Sequence, residues 1–289
     1  MGHRSGWIAA VVLVLAFAFG AVAGNRAPAR VVSTAPALTE MVWAAGAVDR
    51  LVAVSDYCRF PPGVARLPKV GGLMNLNYEL IARLKPDLVL LMQPSTEIAQ
   101  RLDRMGVPYA TFANETLDEI RSSIATMCKL FGREDRCRSF LNGWDEKLRA
   151  IRDRYADAGV GPRTMVVVGR EAGRLSGLYV AGAGSFYDEI LGLLRCPNAF
   201  GRSHSKYFQP SLEAVATAAP DVIVEIWAGR KLSDGQKARL KGDWEKLRMI
   251  PAVRNGRIYI LTEDYAGVPS ARAVETIELL ERVLRLDER

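Results

Sequence analysis

Short apolar runs alternate along most of this chain with segments whose apolar residues recur every three or four positions. Val31-Val32-Ser33 reads as a strand entering a turn at Pro36, and Thr39 to Ala45 as a helix stopped by Gly46. Leu51 to Ser55 is a second strand. Leu76 to Leu84 is a helix, Pro86-Asp87 turns the chain, and Leu88 to Met92 is a strand. Thr96 to Met105 is a helix ended by Gly106, and Val107 to Phe112 follows as a strand. The second half predicts strands at Thr164 to Val168, Val222 to Ile226 and Ile258 to Leu261. Its helices fall at Ser185 to Leu194, Ser211 to Ala218 and Arg272 to Leu284. Strand and helix alternating in this way predict mainly parallel sheets with helices on both faces.

One stretch occurs twice. Glu79-Leu-Ile-Ala-Arg-Leu-Lys-Pro86-Asp87-Leu-Val-Leu lines up with Glu213-Ala-Val-Ala-Thr-Ala-Ala-Pro220-Asp221-Val-Ile-Val. Solenoid periods run to roughly 20–50 residues, far short of this spacing, so the match reads as one lobe duplicated once. Pro-Asp is common turn chemistry, but the matching glutamate and strand extend the likeness beyond a turn. Between the copies, Glu115 to Ala158 is charged and free of proline, and is broken near Gly132. From Glu134 to Ala156 the residues Cys137, Phe140, Leu141, Trp144, Leu148, Ile151 and Tyr155 keep helical spacing. They predict a helix about 34 Å long. The expected fold is therefore α/β, two Rossmann-like lobes with mainly parallel sheets joined by one long α-helix. The boundaries are 24–132 for the N-terminal lobe, 133–158 for the linker helix and 159–289 for the C-terminal lobe.

The first 23 residues change the compartment. His3 and Arg4 precede an apolar run from Trp7 to Phe19, and Gly20-Ala21-Val22-Ala23-Gly24 follows. That order reads as a secretory signal peptide over 1–23, cut after Ala23. An uncleaved anchor is the other reading, but the run is near the lower limit for a span and its small-residue exit favours cleavage. At 49% hydrophobic and 25% charged residues, the chain can bury an ordinary core. Its formal net charge of +7 is mild and scattered, without a basic run carrying aromatics, so nucleic acid is not an expected partner.

Four cysteines stand in an exported, oxidising context: Cys58, Cys128, Cys137 and Cys196. None has zinc-ribbon spacing. Cys128 and Cys137 would lie about 13 Å apart on one straight helix, too far to bond. If the chain reverses at Gly132 they face each other, which makes them the disulfide candidate. Cys58 and Cys196 could pair, stay as buried thiols or sit at a ligand site.

Signals for catalysis are weak. Of two histidines only His204 lies beyond the leader, so a histidine-rich metal site is excluded. No Gly-x-Ser-x-Gly elbow occurs, and Gly182-Ala-Gly184-Ser lacks the rest of a phosphate-binding loop. What remains are polar and aromatic residues at predicted strand C-termini, where open α/β sheets bind ligands. These are Ser33 to Thr39, Tyr57 with Cys58, Leu73 to Asn75, Met92 to Ser95, Tyr179, His204 to Phe208, Trp227 and Asp264-Tyr265. A single aromatic there is packing as often as site. So many from both halves point to a cleft for a large, flat or apolar ligand.

Ordered motifs cover nearly the whole mature chain: Arg30-Val-Val-Ser-x-Ala-Pro36-Ala-Leu-Thr39-Glu40, Val54-Ser-Asp-Tyr57-Cys-Arg-Phe-Pro61-Pro62, Val70-Gly-Gly72-x-x-Asn75-x-x-x-Glu79 and Lys85-Pro-Asp-Leu-Val. Asn198-Ala-Phe200, Ser211-Leu-Glu213, Pro220-Asp-Val-Ile and Val253-x-Asn-Gly-Arg-Ile-Tyr259 continue the series. In this order they resemble the periplasmic solute-binding proteins of the cobalamin and iron-complex group, which feed ATP-driven (ABC) importers. The Tyr57-Cys-x-x-Pro-Pro segment is most similar to the vitamin B12-binding branch. The resemblance implies a helical-backbone periplasmic binding protein, not an enzyme, that works as a monomer. It would hold a corrinoid between its lobes and carry no cofactor of its own, the metal belonging to the ligand. It implies ligand contacts at Pro36, Ala37, Tyr57, Tyr179, Tyr207 and Asp264, to which we add the neighbours Trp227 and Tyr265. Leu73, Met92 and Tyr207 stand where cobalamin binders often place tryptophans, so the pocket departs from that pattern. Glu79 and Glu213 match the glutamates that dock on arginines of the permease dimer. A ferric siderophore or haem is the alternative ligand. Haem would use Tyr57, Tyr207 or His204 on its iron, and a siderophore would use Arg59, Arg202 and Lys206. An α/β enzyme acting on a metal chelate is the rival class. Some relatives form a disulfide from the position of Cys196, but its partner cysteine is missing here.

Overall fold

The structure is a computed structural model and describes residues 27–72 and 74–284. The expected signal peptide and Leu73 lie outside the described residues. Strands β1 (Val31–Ser33), β2 (Leu51–Val54), β3 (Leu88–Met92) and β4 (Tyr109–Phe112) form a first sheet in the order β2-β1-β3-β4. All its pairings are parallel. Helices α1 (Pro36–Ala44), α2 (Tyr78–Leu84) and α3 (Thr96–Arg104) make the crossovers. α1 begins three residues before the expected Thr39, because Pro36 sits at its start with φ already helical.

Helices α4 (Leu117–Phe131) and α5 (Glu134–Tyr155) follow. A capping box of Thr116 and Glu119 opens α4. Gly132 ends it at φ 62, a left-handed conformation that glycine adopts without a Cβ clash. The chain reverses there and brings Cys128 and Cys137 to a Cα separation of 6.0 Å, where they form the expected disulfide. Arg121 and Asp145 add a two-pronged ion pair between the helices, with both bonds at 2.7 Å. The inner stripe of α5, Cys137, Leu141, Trp144, Leu148, Ile151 and Tyr155, is buried as its spacing predicts.

The second sheet has the order β7-β6-β5-β8-β9. Its strands are β5 (Thr164–Gly169), β6 (Tyr179–Ala181), β7 (Tyr207–Phe208), β8 (Val222–Ile226) and β9 (Ile258–Leu261), with α6 (Phe186–Leu193), α7 (Leu212–Ala218), α8 (Asp234–Gly242), α9 (Pro251–Arg254) and α10 (Ala273–Leu284) around them. β5, β8 and β9 are parallel, but β6 and β7 pair antiparallel. Residues 170–178 are too few for a parallel crossover, which takes about a dozen residues, so β6 must return against β5. The chain is thus α/β, two Rossmann-like lobes with mainly parallel sheets joined by α5. One hydrophobic core runs from Met41 and Leu90 through Trp144 and Leu148 to Val224 and Leu280, so the joining helix is packed into both lobes.

The repeated stretch is a repeated structure. Asn77 and Ser211 cap α2 and α7 by accepting the backbone N–H groups of Leu80 and Ala214 at 2.9 and 3.1 Å. Lys85 and Ala219 end these helices at φ 46 and 45, where a Cβ costs about 1–2 kcal/mol. Asp87 then accepts from the backbone N–H of Arg30 at 2.9 Å, and Asp221 from that of Arg163 at 3.0 Å. Each aspartate ties its Pro-Asp turn to the strand beside it.

Candidate functional site

The segments that follow the strand C-termini in one lobe touch those in the other. Arg59, beyond β2, donates to the Gly229 carbonyl beyond β8. Asn114, beyond β4, donates to the Pro269 carbonyl at 2.9 Å. Its neighbour Glu115 pairs with Lys206. Glu189 of α6 accepts the Leu117 backbone N–H at 2.8 Å. The two C-terminal sheet edges therefore face each other across a cleft, with these contacts crossing it.

Tyr57 and the Tyr179–Tyr207 pair supply the most exposed aromatic surface of the site. Tyr57 is 67% exposed. Its ring edge lies so close to Gly72 that a Cβ there would come within 2.7 Å, so a larger residue would push the tyrosine aside. Asp56 holds the Gly71 N–H and Asn75 the Gly72 N–H, at 3.2 and 2.9 Å, which fixes this loop against the tyrosine. From the other lobe Tyr179, 43% exposed, stacks on Tyr207 at 6.1 Å between centroids and 24° between planes. Burial pushes the Tyr207 phenol up to about 12, so it stays protonated at neutral pH. Trp227, half-buried, follows β8 and gives its indole N–H to Glu225 at 2.7 Å.

A buried charge cluster also joins the two lobes. Arg272 reaches Glu40 of α1 at 2.5 Å and Asp264 at 2.9 Å, and Ser270 also donates to Glu40. Its guanidinium carbon lies 4.0 Å from the Phe60 ring centroid and 5.4 Å from that of Tyr265. Burial pushes the Glu40 carboxyl up, and the hydrogen bond and charge of Arg272 pull back only part of that. Burial would lower Arg272, but its two carboxylates outweigh this and raise it. This cluster ties α1 of the first lobe to the segment before α10 of the second.

The structure places the expected residues as follows. Pro36 and Ala37 begin α1 at the end of β1, and Ala37 is buried. Met92 ends β3 and leans on the main core. Asp264 and Tyr265 join the Arg272 cluster. His204, Arg59, Arg202 and Lys206 are exposed, and Arg59 and Lys206 are engaged across the cleft. Glu79 and Glu213 are the exposed second residues of α2 and α7. The Glu213 carboxyl is held low by its own backbone N–H and the Ser211 hydroxyl. Cys58 and Cys196 are separate buried thiols, so their pairing is excluded. Cys58 lies under the cleft loop, 3.1 Å from both Thr39 and Ser55 hydroxyls. Sequence reasoning missed Glu40, Phe60, Ser270, Arg272 and Glu225 as parts of the site. Glu40 carried a signal, a lone carboxylate inside the apolar run of α1.

Among the described residues no helix is long and apolar enough to cross a membrane. Nor does any group of His, Cys, Asp and Glu among them suit a metal ion. Two α/β lobes on a helical backbone, with a cleft between their strand C-termini, make this a two-lobed binding protein. The chain belongs to the periplasmic binding protein family, which matches residues 31–265. It is 27% identical over 263 residues to the vitamin B12-binding protein of Vibrio cholerae serotype O1, covering 90% of each chain. The crystal structure of the periplasmic vitamin B12 binding protein BtuF of Vibrio cholerae superposes with a TM-score of 0.76 at 26% identity, covering 91% of this chain and 98% of that one. A periplasmic heme binding protein from Pseudomonas aeruginosa superposes with a TM-score of 0.75 at 25% identity, covering 89% of this chain and 92% of that one.

Proposed function

We propose that this protein is the periplasmic substrate-binding component of an ABC importer. It holds a corrinoid, a vitamin B12-like molecule, in the cleft between its lobes and delivers it unchanged to an inner-membrane permease. The observation that carries this reading is that each lobe presents exposed aromatic surface beyond its strands, Tyr57 in the first and the Tyr179–Tyr207 stack in the second. Such faces suit the flat surface and apolar edges of a large macrocycle. The vitamin B12-binding relatives, aligned over nine-tenths of both chains, support the same ligand. Contacts would come from Pro36, Ala37, Tyr57, Leu73, Met92, Tyr179, Tyr207, Trp227, Asp264 and Tyr265. The metal enters as part of the cargo, and the protein needs no cofactor.

Export removes residues 1–23, and the mature protein acts as a monomer with lobes at 24–132 and 159–289 around the helix at 133–158. Glu79 and Glu213 dock on the permease dimer; both are exposed and their helices are matched copies. The ligand is bound and not transformed.

Haem is the second reading, supported by the heme-binding neighbour. Tyr57, Tyr207 and His204 are the residues that would serve the haem iron. Calorimetric titration of the mature protein with cyanocobalamin, haem and a ferric siderophore separates the readings. Stoichiometric binding of cyanocobalamin alone is expected. A Soret shift with haem and no heat with cyanocobalamin would move the protein to the iron-complex branch.

A further inference from the structure

The carboxylate that accepts the Trp227 indole N–H, in the second lobe, has further partners. Glu225, in β8, is 0% exposed. Its Oε1 accepts from Arg170 Nε at 2.9 Å and from Trp244 Nε1 at 2.5 Å. Its Oε2 accepts from Trp227 Nε1 at 2.7 Å. The Arg170 side chain is also fully buried, and it donates onward to Asp243 at 2.7 Å and to the Leu240 carbonyl at 2.8 Å. Buried ion pairs of this kind are often no more stabilising than well-packed apolar residues.

The repeat provides an internal control. Aligning Pro86-Asp87 with Pro220-Asp221 puts Leu91 at the place of Glu225 and Gln93 at that of Trp227. Leu91 is fully buried in β3 and completes its sheet with no charge at all. The fold does not need a carboxylate at this position, so the difference lies in what stands two residues later. Residues two apart on a strand share a face, which sets Glu225 under the indole of Trp227. A half-exposed indole could give its N–H to water. This one turns it inward to Glu225, which fixes the plane of a half-buried ring. The guanidinium carbons of Arg170 and Arg230 lie 5.7 and 5.6 Å from its centroid.

We propose that Glu225 is a positioning residue for ligand binding: acting through the Trp227 N–H, it fixes the plane of that indole and so sets the preference of the cleft for a flat, π-rich ligand face. The proposal rests on the reading of the cleft as the ligand site. Arg170 and the buried Trp244 both donate to Oε1, the oxygen that Trp227 does not use.

Three variants test it: Trp227→Phe, which keeps a ring but has no N–H; Glu225→Gln; and Trp244→Phe, which removes the other indole bond to the same carboxylate. Two readouts are needed, cyanocobalamin affinity by calorimetry and the indole N–H resonances by nuclear magnetic resonance. Trp227→Phe and Glu225→Gln are each expected to weaken binding about tenfold, and the double variant no further. Glu225→Gln should also shift the Trp227 N–H signal and speed its exchange with water. Trp244→Phe should lower Tm and leave affinity unchanged. The proposal is overturned if Trp227→Phe binds like wild type, if the two losses add, or if Trp244→Phe loses as much affinity as Trp227→Phe. Should Glu225→Gln fail to fold, the contrast between Trp227→Phe and Trp244→Phe decides alone. If wild type takes haem in place of cyanocobalamin, the ligand reading fails and the same series with haem decides the positioning role. A wild type that binds none of the three ligands overturns both.

Discussion

The α2–β3 unit and the α7–β8 unit are built alike up to the strand and unlike beyond it. Both have a capped helix start, an exposed glutamate at the second helical residue, a left-handed stop and a Pro-Asp turn bonded to the neighbouring strand. β3 then ends in Leu91 and Met92, which are apolar, whereas β8 carries Glu225 and is followed by Trp227. The outer part, which meets the permease in our reading, has kept one design in both lobes. The strand ends differ, as two faces that grip one asymmetric ligand in our reading have no reason to match.

If the likeness of the outer parts reflects a shared docking role, the largest effect is on transport. The pair Glu79→Ala and Glu213→Ala is expected to reduce uptake of labelled cobalamin to background while calorimetric affinity stays as in wild type. Uptake that survives the double change would break the functional side of the comparison. Next in size is the seam between the lobes. Arg272→Ala leaves Glu40 buried without its charged partner and should cost about 3–5 kcal/mol in denaturant unfolding. Opening the Cys128–Cys137 bridge by Cys128→Ser should cost about 2–3 kcal/mol by the same measurement.

Smaller effects sharpen the difference between the walls. Tyr57→Ala and Tyr179→Ala should each weaken cyanocobalamin binding by about 1 kcal/mol, read by calorimetry, while leaving transport per bound ligand unchanged. The smallest is the α4–α5 ion pair. The hydrogen bond from Arg121 holds the Asp145 carboxyl below its ordinary value, so the pair stabilises above the unfolded carboxylate range and its contribution is lost as pH falls. Asp145→Asn should cost about 0.5 kcal/mol at pH 7, and the gap from wild type should close as an unfolding series is taken toward pH 3.

The duplication was legible because its markers are local: a cap, a turn and a strand written in consecutive residues. So was the reversal at Gly132, where one glycine sets both the helix break and the disulfide. The joining helix showed itself through seven apolar positions at one spacing. β6 and β7 did not, since strands of three and two residues are too short to show alternation. α8 buries only Leu240 and has no apolar stripe, although its Ser233–Gln236 capping box was there to be read. The aromatic positions of the site were legible as strand ends, but their supports were not. Arg272 read as an ordinary start of the last helix, and Glu225 as one polar residue in an apolar strand. Their partners lie far away in sequence, from Glu40 to Arg272 and from Arg170 to Trp244, and only folding brings those charges together.

The central claim is that one ligand is gripped by both lobes, and hydrogen exchange of the mature protein with and without cyanocobalamin tests it most directly. The account predicts slowed exchange on both walls at once, in residues 34–37 and 56–60 of the first lobe and 179–181, 204–208, 227–230 and 262–266 of the second, with the tips around Glu79 and Glu213 unchanged. Slowing confined to one lobe, or none at saturating cyanocobalamin, would contradict it.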